Sequence, residues 1–344
     1  MSALEIAPVD VFDPAQLDPW HAVYEAAERA TGEHVGSPWQ LEEVRVLMQD
    51  AGTRFWTAGF SGRVDGELVA VSWIRTPLLD NLDRAEVSVH TAPGHTRQGY
   101  AAAMLGHVEQ VARERGRRVL VGAAAWPYDV GPDGTGVPGR ELARSAGYEL
   151  ALGDVKRVLR LPVAAGVLDA LAAEAAPRHT GYELRSWVGP IPDELLVGWA
   201  RLDALVETEA PTGELELEPL TDDPGVVREE EAMLATQGRT AYHSVALDGA
   251  GTLVAYTLVV TTEHEPGRAY QWGTMVDRDA RGHRLGLAVK VANLRLLQSA
   301  APDITTVSTY NAESNAYMIE VNDRIGFRPV ARMGEFQKRL SPGG

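Results

Sequence analysis

The chain has 344 residues, a formal net charge of −16 at pH 7 and no cysteine. With 45% hydrophobic and 23% charged residues, it has the composition of a folded globular protein and a length sufficient for two domains. The missing cysteines exclude disulfides, thiolate metal sites and a cysteine nucleophile, and the acidic charge argues against general binding to nucleic acid.

The first half of the sequence alternates helical and strand-like segments. The dipeptide Asp65-Gly66 separates two β-rich runs and predicts a tight hairpin between them. Apolar residues at helical spacing follow the next strand, and Gly116 ends that helix. The predicted helices cover residues 14–30, 41–50, 99–115 and 139–145, and the predicted strands cover residues 53–64, 67–76, 84–90 and 118–124.

The second half repeats this order after a boundary that we place near Leu161. A second hairpin is predicted across Asp248-Gly249, and residues 191–199 echo residues 13–20 in composition and spacing. The predicted strands cover residues 182–187, 241–247, 252–260, 270–276, 304–309 and 328–340, and helices are predicted at residues 162–178, after 286 and at 314–325. We therefore expect a mixed α/β chain of two domains.

One segment occurs twice with identical spacing, at residues 89–101 and 276–288. Arg97 and Arg284 each stand two residues before a glycine, after a strand and before a helix. The unpaired N–H groups at such a helix start form a binding site for phosphate. The alternative is a solvated helix start whose arginines pair with surface carboxylates.

The Arg-x-Gly-x-Ala core of both copies resembles the acyl-CoA motif of the GCN5-related N-acetyltransferases (GNATs), although Thr96 and His283 replace the usual first residue. The endings Ala146-Gly147-Tyr148 and Ile325-Gly326-Phe327 are also similar to those of the family. The resemblance implies two tandem domains, each with a central, mostly antiparallel sheet flanked by helices. We expect an N-terminal domain at 1–161, for which one interpretation is a degenerate copy, and a C-terminal domain at 162–344 that binds acetyl-CoA.

The resemblance also implies which residues bind the acetyl-CoA cosubstrate. In the family, pantetheine lies between two splayed strands and the pyrophosphate lies on the loop that follows. The second copy is the better candidate, since it has three basic side chains and a full-length last helix. The implied contacts are Met275, Val276, Arg281, Gly282, His283, Arg284, Leu285, Gly286, Leu287, Ala288 and Asn315 in the second copy, and Val89, Arg97, Gln98, Gly99, Tyr100 and Ala101 in the first.

Two residues are candidates for catalysis by the same resemblance. Glu86 lies on the strand before the first copy, where family members often have a general base. The tyrosine that commonly acts as the acid is replaced by Ala143 and Asn322, so Tyr310 is our first candidate for that role. The structural alternatives are a solvated strand residue for Glu86 and a packed rim residue for Tyr310.

These observations predict an acetyl-CoA dependent N-acetyltransferase that acts on a small-molecule amine, such as an antibiotic or a metabolite. The alternatives are a non-catalytic acyl-CoA-binding or sensing protein and a protein or peptide N-acetyltransferase. No apolar run reaches the roughly 20 residues of a membrane span and no secretory leader is evident, so we expect a cytoplasmic monomer or homodimer without a membrane partner. His90 and His95 have no third ligand nearby, and we expect no metal site.

Overall fold

The computed structural model describes residues 3–50, 52–209 and 211–341. The chain forms two compact units, each of which contains more than one segment of the sequence. Unit one consists of residues 1–155, 212–217 and 330–344, and unit two consists of residues 156–211 and 218–329. The predicted boundary at residue 161 lies near residue 155, where the first segment of unit one ends. That boundary places residues 212–217 and 330–344 in the second domain, whereas they belong to unit one.

Unit one begins with a strand and two helices and continues into a meander. Its elements are β1 (Glu5–Pro8), α1 (Pro14–Arg29), α2 (Leu41–Gln49), β2 (Phe55–Val64), β3 (Glu67–Pro77), β4 (Arg84–Thr91), α3 (Tyr100–Glu114), β5 (Val119–Pro127), α4 (Pro138–Ser145) and the first half of β6 (Glu149–Arg160). The predicted hairpin is confirmed: Asp65 and Gly66 both have positive φ, as a two-residue turn between twisted strands requires.

Unit two repeats this order after one additional helix. Its elements are α5 (Val167–Ala175), β7 (Glu183–Val188), α6 (Asp193–Ala204), α7 (Val206–Glu209), α8 (Pro224–Thr236), β8 (Arg239–Leu247), β9 (Leu253–Thr262), β10 (Arg268–Val276), α9 (Leu285–Ala300), β11 (Thr306–Ala312) and α10 (Ala316–Ile325). The hairpin from β8 to β9 is present, and the Asp248 carboxylate accepts the N–H groups of Ala250 and Thr252 in its turn.

The strand pairs described for both units are mostly antiparallel, and a parallel pair occurs in each unit. In unit one, β1 to β4 pair in antiparallel order and β5 pairs parallel to β4. In unit two, β7 to β10 pair in antiparallel order and β11 pairs parallel to β10. Helices α3 and α9 bury their apolar faces on these sheets, as the helical spacing of the sequence predicted.

The last strand of the chain belongs to unit one. Most of β12 (Arg328–Arg339) lies in that unit, where residues Ala331–Arg339 pair antiparallel with β5. Phe336 and Leu340 are buried in the same core as Met104 of α3. The Lys338 ammonium donates hydrogen bonds of 2.7 and 2.9 Å to the two carboxylate oxygens of Glu109. The sequence predicted a strand here but assigned it to the second domain.

Candidate functional site

In unit one, β4 and β5 separate at Glu86. Their parallel pairing covers only Arg84 to Glu86 on β4 and Val119 to Val121 on β5, although both strands continue well beyond it. Gly122 lies just past the last pair, where an added Cβ would come within 3.1 Å of the Val87 carbonyl oxygen. The strands are thus in close contact at one end and open at the other, where β4 leads into the first repeated loop.

This first loop, residues 92–99 and called loop one below, exposes unpaired backbone N–H groups. Arg97 and Gly99 both have positive φ, which aims successive N–H groups toward one side. Helix α3 has no side-chain cap, and an added Cβ at Gly99 would meet nothing within 4 Å. Among the described residues, no carboxylate lies within salt-bridge distance of Arg97. Loop one therefore has the geometry and charge to hold a phosphate group.

The second loop, residues 277–284 and called loop two below, pairs its arginines with carboxylates of its own unit. Arg278 and Arg281 bind the two carboxylate oxygens of Glu209 at 2.7 and 2.8 Å. Arg284, which has positive φ like Arg97, lies 2.7 Å from the Glu174 carboxylate. Loop two therefore matches the alternative to a phosphate site that the sequence offered, a helix start whose arginines pair with carboxylates.

The helix start after loop two is also covered. Leu285 and Leu287 are each only 1% exposed, and an added Cβ at Gly286 would lie 3.5 Å from the ring of Tyr317. The His283 ring forms a 3.0 Å hydrogen bond with the Arg178 carbonyl oxygen and contacts the Tyr182 ring. The N–H groups at this helix start are therefore less accessible than those of loop one.

The remaining residues predicted to contact the coenzyme in unit two have structural contacts. Met275 is buried among the apolar side chains of α6 and β9. The side chain of Asn315 caps α10 by accepting the Met318 N–H at 3.1 Å. Val276 is the last residue of β10 before loop two, and Gly282 lies within the loop and has positive φ. The Ala288 side chain faces the core.

Comparison with known proteins gives the family. Residues 20–126 match the family model "Acetyltransferase (GNAT) family". A solved tandem GNAT protein from the clavulanic acid biosynthesis pathway is 27% identical, with a TM-score of 0.81, over 99% of this chain and 100% of that one. Residues 20–126 thus form a GNAT-family domain, and the whole chain is similar to a tandem GNAT protein.

Two further solved structures share the fold of this chain. A GCN5-related N-acetyltransferase from Sphaerobacter thermophilus is 16% identical with a TM-score of 0.66, covering 99% of this chain and 97% of that one. The N-myristoyltransferase of Saccharomyces cerevisiae, solved with bound myristoyl-CoA, is 12% identical with a TM-score of 0.59, covering 99% and 84%. No curated protein sequence matches the chain. The family and the tandem neighbour identify the protein as an N-acetyltransferase.

Glu86 and Tyr310 each lie near the point where a parallel strand pair separates, Glu86 on the first strand of its pair and Tyr310 on the second. Glu86 forms the last pair between β4 and β5, and its carboxylate lies 3.9 Å from the Arg75 guanidinium. Tyr310 is the residue after the last pair between β10 and β11, and its ring lies 5.9 Å from the Lys156 ammonium. Each residue therefore lies where its parallel pair of strands separates.

Ala143 in unit one and Asn322 in unit two occupy the positions where the family commonly has a tyrosine acid, and their surroundings differ. Ala143 lies on α4 and packs on the core of unit one. Asn322 is fully buried on α10, where its carbonyl oxygen accepts a 3.0 Å hydrogen bond from Lys290. Burial lowers the pKa of Lys290 to about 7. Neither Ala143 nor the buried Asn322 replaces an exposed phenol as a proton donor.

Sequence reasoning missed one polar group in the first GNAT unit. The Ser88 hydroxyl lies 2.6 Å from Nε2 of His90, and Nδ1 of that ring lies 3.6 Å from the Glu28 carboxylate of α1. Burial lowers the pKa of His90 to about 4. In the sequence, His90 was a candidate only for a metal site with His95, whose ring lies 3.1 Å from the Glu67 carboxylate.

No helix in the described part of the chain combines the length and the apolar character that crossing a bilayer requires.

Proposed function

We propose that this N-acetyltransferase transfers an acetyl group from acetyl-CoA to a small-molecule amine, and that loop one binds the coenzyme diphosphate. The proposal moves the binding site from the second copy, which the sequence favoured, to the first. The difference between Arg97 and Arg284 carries it: one arginine has no described carboxylate partner, and the other is bound to Glu174. Phosphate at loop two would have to displace carboxylates that already satisfy its arginines.

The opening between β4 and β5 supports the same site. Beyond Glu86 the facing edges of the two strands make no hydrogen bonds with each other, so their backbone groups are open to a ligand. An extended pantetheine arm supplies amide groups that match such an edge. With its diphosphate on loop one, the arm would lie along β4 and carry the thioester toward Glu86.

The acetyl transfer itself needs a neutral amine held in line with the thioester carbonyl. We assign proton removal from the amine to Glu86, which lies where the two strands separate. The sequence offers no tyrosine acid at the usual position of this unit, so the thiolate of CoA leaves without a protein proton donor in this scheme. Positioning supplies most of the rate enhancement.

The acceptor is proposed to be a cationic amine. The chain carries a net charge of −16, which attracts cations over a distance comparable to the Debye length. Glu28 and Glu86 lie on the α1 and β4 side of unit one, where the amine would approach. A basic peptide is the second candidate because the same charges would attract it. A cytoplasmic monomer or homodimer completes the proposal.

Calorimetry and a thiol-release assay together test this function. The protein should bind one acetyl-CoA per chain, and a panel of small amines should contain at least one that releases free CoA thiol. A panel of basic peptides is run in parallel. Tight acetyl-CoA binding with no thiol release from either panel would favour a sensor, and absence of binding would refute the proposed site.

A further inference from the structure

One end of the sheet in unit one carries arginines that lack carboxylate partners. Arginines of this chain often pair with a carboxylate, as Arg113 does with Glu109 on α3. Within the described ranges of the chain, no carboxylate lies within salt-bridge distance of Arg84, Arg115, Arg117 and Arg118. The first of these four residues begins β4, and the other three lie between α3 and β5.

Hydrogen bonds bring three of these arginines to the same end of the sheet. Arg84 is the first residue of β4, and it pairs with the first residue of β5. The Arg118 N–H donates to the Asp83 carbonyl oxygen at 2.6 Å, and the Arg117 guanidinium donates to the Pro77 carbonyl oxygen at 2.8 Å. The three arginines therefore lie where β3 ends and where β4 and β5 begin.

Arg115 joins the other three from the end of α3. Its guanidinium lies 3.6 Å from the centroid of the Trp56 ring, near the start of β2. Burial, together with the positive charge of Arg115, lowers the pKa of Arg117, and Asp83 opposes this effect. This end of unit one thus has an excess of positive charge in a chain whose net charge is −16.

An anchored loop with exposed apolar side chains lies beside these arginines. The exposed apolar side chains are Leu78, Leu79 and Leu82. The Leu78 N–H donates to the Arg54 carbonyl oxygen at 2.8 Å, and the Arg84 N–H donates to the Asn81 carbonyl oxygen at 2.9 Å. Adjacent leucines that an anchored loop holds in solvent indicate a contact surface. We call residues 78–82 together with the four arginines the arginine face.

We propose that the arginine face docks an acidic polypeptide segment that carries aliphatic side chains. Carboxylates of the segment pair with the guanidinium groups, whose planar donors suit a carboxylate, and its aliphatic side chains cover the leucines. A short segment contacts this face alone. A long nucleic acid or an anionic bilayer extends past the face and meets the negative charge of the remaining surface, so both fit less well.

The arginine face is remote from the proposed coenzyme site. β4 runs from the face toward loop one, and the 15-residue helix α3 returns from loop one to the face. At a rise of about 1.5 Å per residue, α3 separates the two sites by about 20 Å. Docking therefore leaves loop one free, and the proposal is independent of the transferase function.

Fluorescence polarisation tests docking with a labelled synthetic peptide made of glutamate and leucine. A second peptide has glutamine in place of every glutamate and measures the apolar contribution alone. We expect the acidic peptide to bind at least about tenfold more tightly than the glutamine peptide, because several carboxylates each contribute a modest ion pair. Its affinity should also fall as the salt is raised from about 0.1 to about 1 M, since the Debye length shortens.

Paired charge reversals locate the peptide on the protein. Arg115→Glu combined with Arg118→Glu should weaken binding of the acidic peptide by about tenfold or more. Arg160→Glu combined with Arg178→Glu is the matched control, since these are also exposed arginines but belong to unit two. The control should bind as the wild type does, and melting temperatures verify that both variants fold.

A second pair of variants tests the apolar contact. Leu79→Ser should weaken the peptide by about fivefold, because it removes a leucine that the peptide is proposed to cover. Val197→Ser is its control, since Val197 is an exposed apolar residue of α6 in unit two. Neither substitution changes a buried side chain, so both proteins should remain as stable as the wild type.

Three results would overturn the proposal. The first is no binding of the acidic peptide, and the second is equal binding by the two charge-reversal variants. The third is tighter binding of another occupant that is lost on reversal of Arg115 and Arg118. The occupants to be tested are an RNA oligonucleotide, phosphatidylserine vesicles and, by sedimentation without peptide, a second copy of the chain. Acetyl-CoA binding and acetyl transfer would be unaffected by any of these results.

Discussion

The carboxylate of Glu174 lies 2.7 Å from the guanidinium of Arg284 in loop two. The same carboxylate also accepts a hydrogen bond from Arg324, and this hydrogen bond is the main cause of a lowered pKa for Glu174. The second copy of the repeated segment thus uses its basic residues within its own unit. Loop two therefore has fewer basic groups available for a phosphate than loop one has.

Arg97→Gln should weaken acetyl-CoA binding, and Arg284→Gln should not. A charge-assisted hydrogen bond to phosphate contributes about 1.5–3 kcal/mol, so the Arg97 variant should bind about tenfold to a hundredfold more weakly by calorimetry. The two variants are matched because both arginines have positive φ and share the same place in the repeat. If only Arg284→Gln weakened binding, the coenzyme would be bound at loop two.

Gly99→Trp should abolish acetyl-CoA binding. An added side chain at Gly99 points into open space over loop one, where the diphosphate is proposed to lie. Gly116→Trp is the control, since Gly116 also has positive φ and open space around it but lies at the other end of α3. Both variants pay a similar backbone cost of about 1–2 kcal/mol, so their melting temperatures should fall alike. Equal loss of binding in both would point to general unfolding of unit one instead.

Glu86→Gln should lower kcat by about a hundredfold without changing the Kd for acetyl-CoA, because it removes the proposed base and leaves loop one intact. Steady-state kinetics with the best amine from the panel measures the first quantity, and calorimetry measures the second. Glu149→Gln, which changes an exposed glutamate on β6, provides the control. If the Glu86 variant had the wild-type kcat, Glu86 would not be the base and another group would have that function.

His243→Phe should make unit two less sensitive to acid. Burial between Trp187 and Trp199 lowers the pKa of His243 to about 4, below the value of about 6.5 expected in the unfolded chain. The unfolded state therefore takes up a proton first as the pH falls, and stability present above pH 6.5 is lost toward pH 4. Between pH 8 and pH 5, the titration of His243 should lower the free energy of unfolding by about 2 kcal/mol. The phenylalanine variant should not show this decrease.

Denaturant unfolding at both pH values, followed by tryptophan fluorescence, measures the effect of His243. Phenylalanine keeps a flat aromatic ring that has no titratable group and can contact Trp187 and Trp199 as the imidazole does. An identical pH dependence in the variant and the wild type would mean that His243 titrates normally in the folded protein.

Lys338→Met should destabilise unit one although Lys338 is near the end of the chain. It removes two hydrogen bonds to Glu109, whose side chain is only 8% exposed. The loss should be about 1–3 kcal/mol in the free energy of unfolding. Arg339→Gln is the matched control. The guanidinium of Arg339, the next residue, pairs with Glu216 at the surface, where an ion pair contributes less than about 1 kcal/mol. Similar effects of the two substitutions would argue against a role of the Lys338 pair in holding β12.

Local sequence signals predicted most of the elements and their duplicated order. Helical spacing marked α3 and α9, and the Asp-Gly dipeptides marked both hairpins, because these patterns involve residues close in the sequence. The contacts that distinguish the two loops are different in kind. Arg281 binds Glu209 from 72 residues away, and Arg324 binds Glu174 from 150 residues away. No local pattern indicates such pairs.

The same limit applies to the candidate site. Ser88 and His90 are visible as neighbours on one face of a strand, but Glu28 comes from α1, and only the packing of that helix brings it to the ring. The strand character of residues 328–340 was also predicted, whereas its partner β5 was not. Strand propensity indicates that a segment is extended, but it does not indicate which strand the segment pairs with.

The position of β12 has a consequence for how the protein is made. A ribosome synthesises the residues that pair with the edge of β5 only after every residue of unit two has been synthesised. Until then the nascent first unit has an unpaired strand edge of the kind that promotes aggregation. Any stop codon before residue 330 would therefore leave the N-terminal unit without its closing strand, even if its own segment were intact.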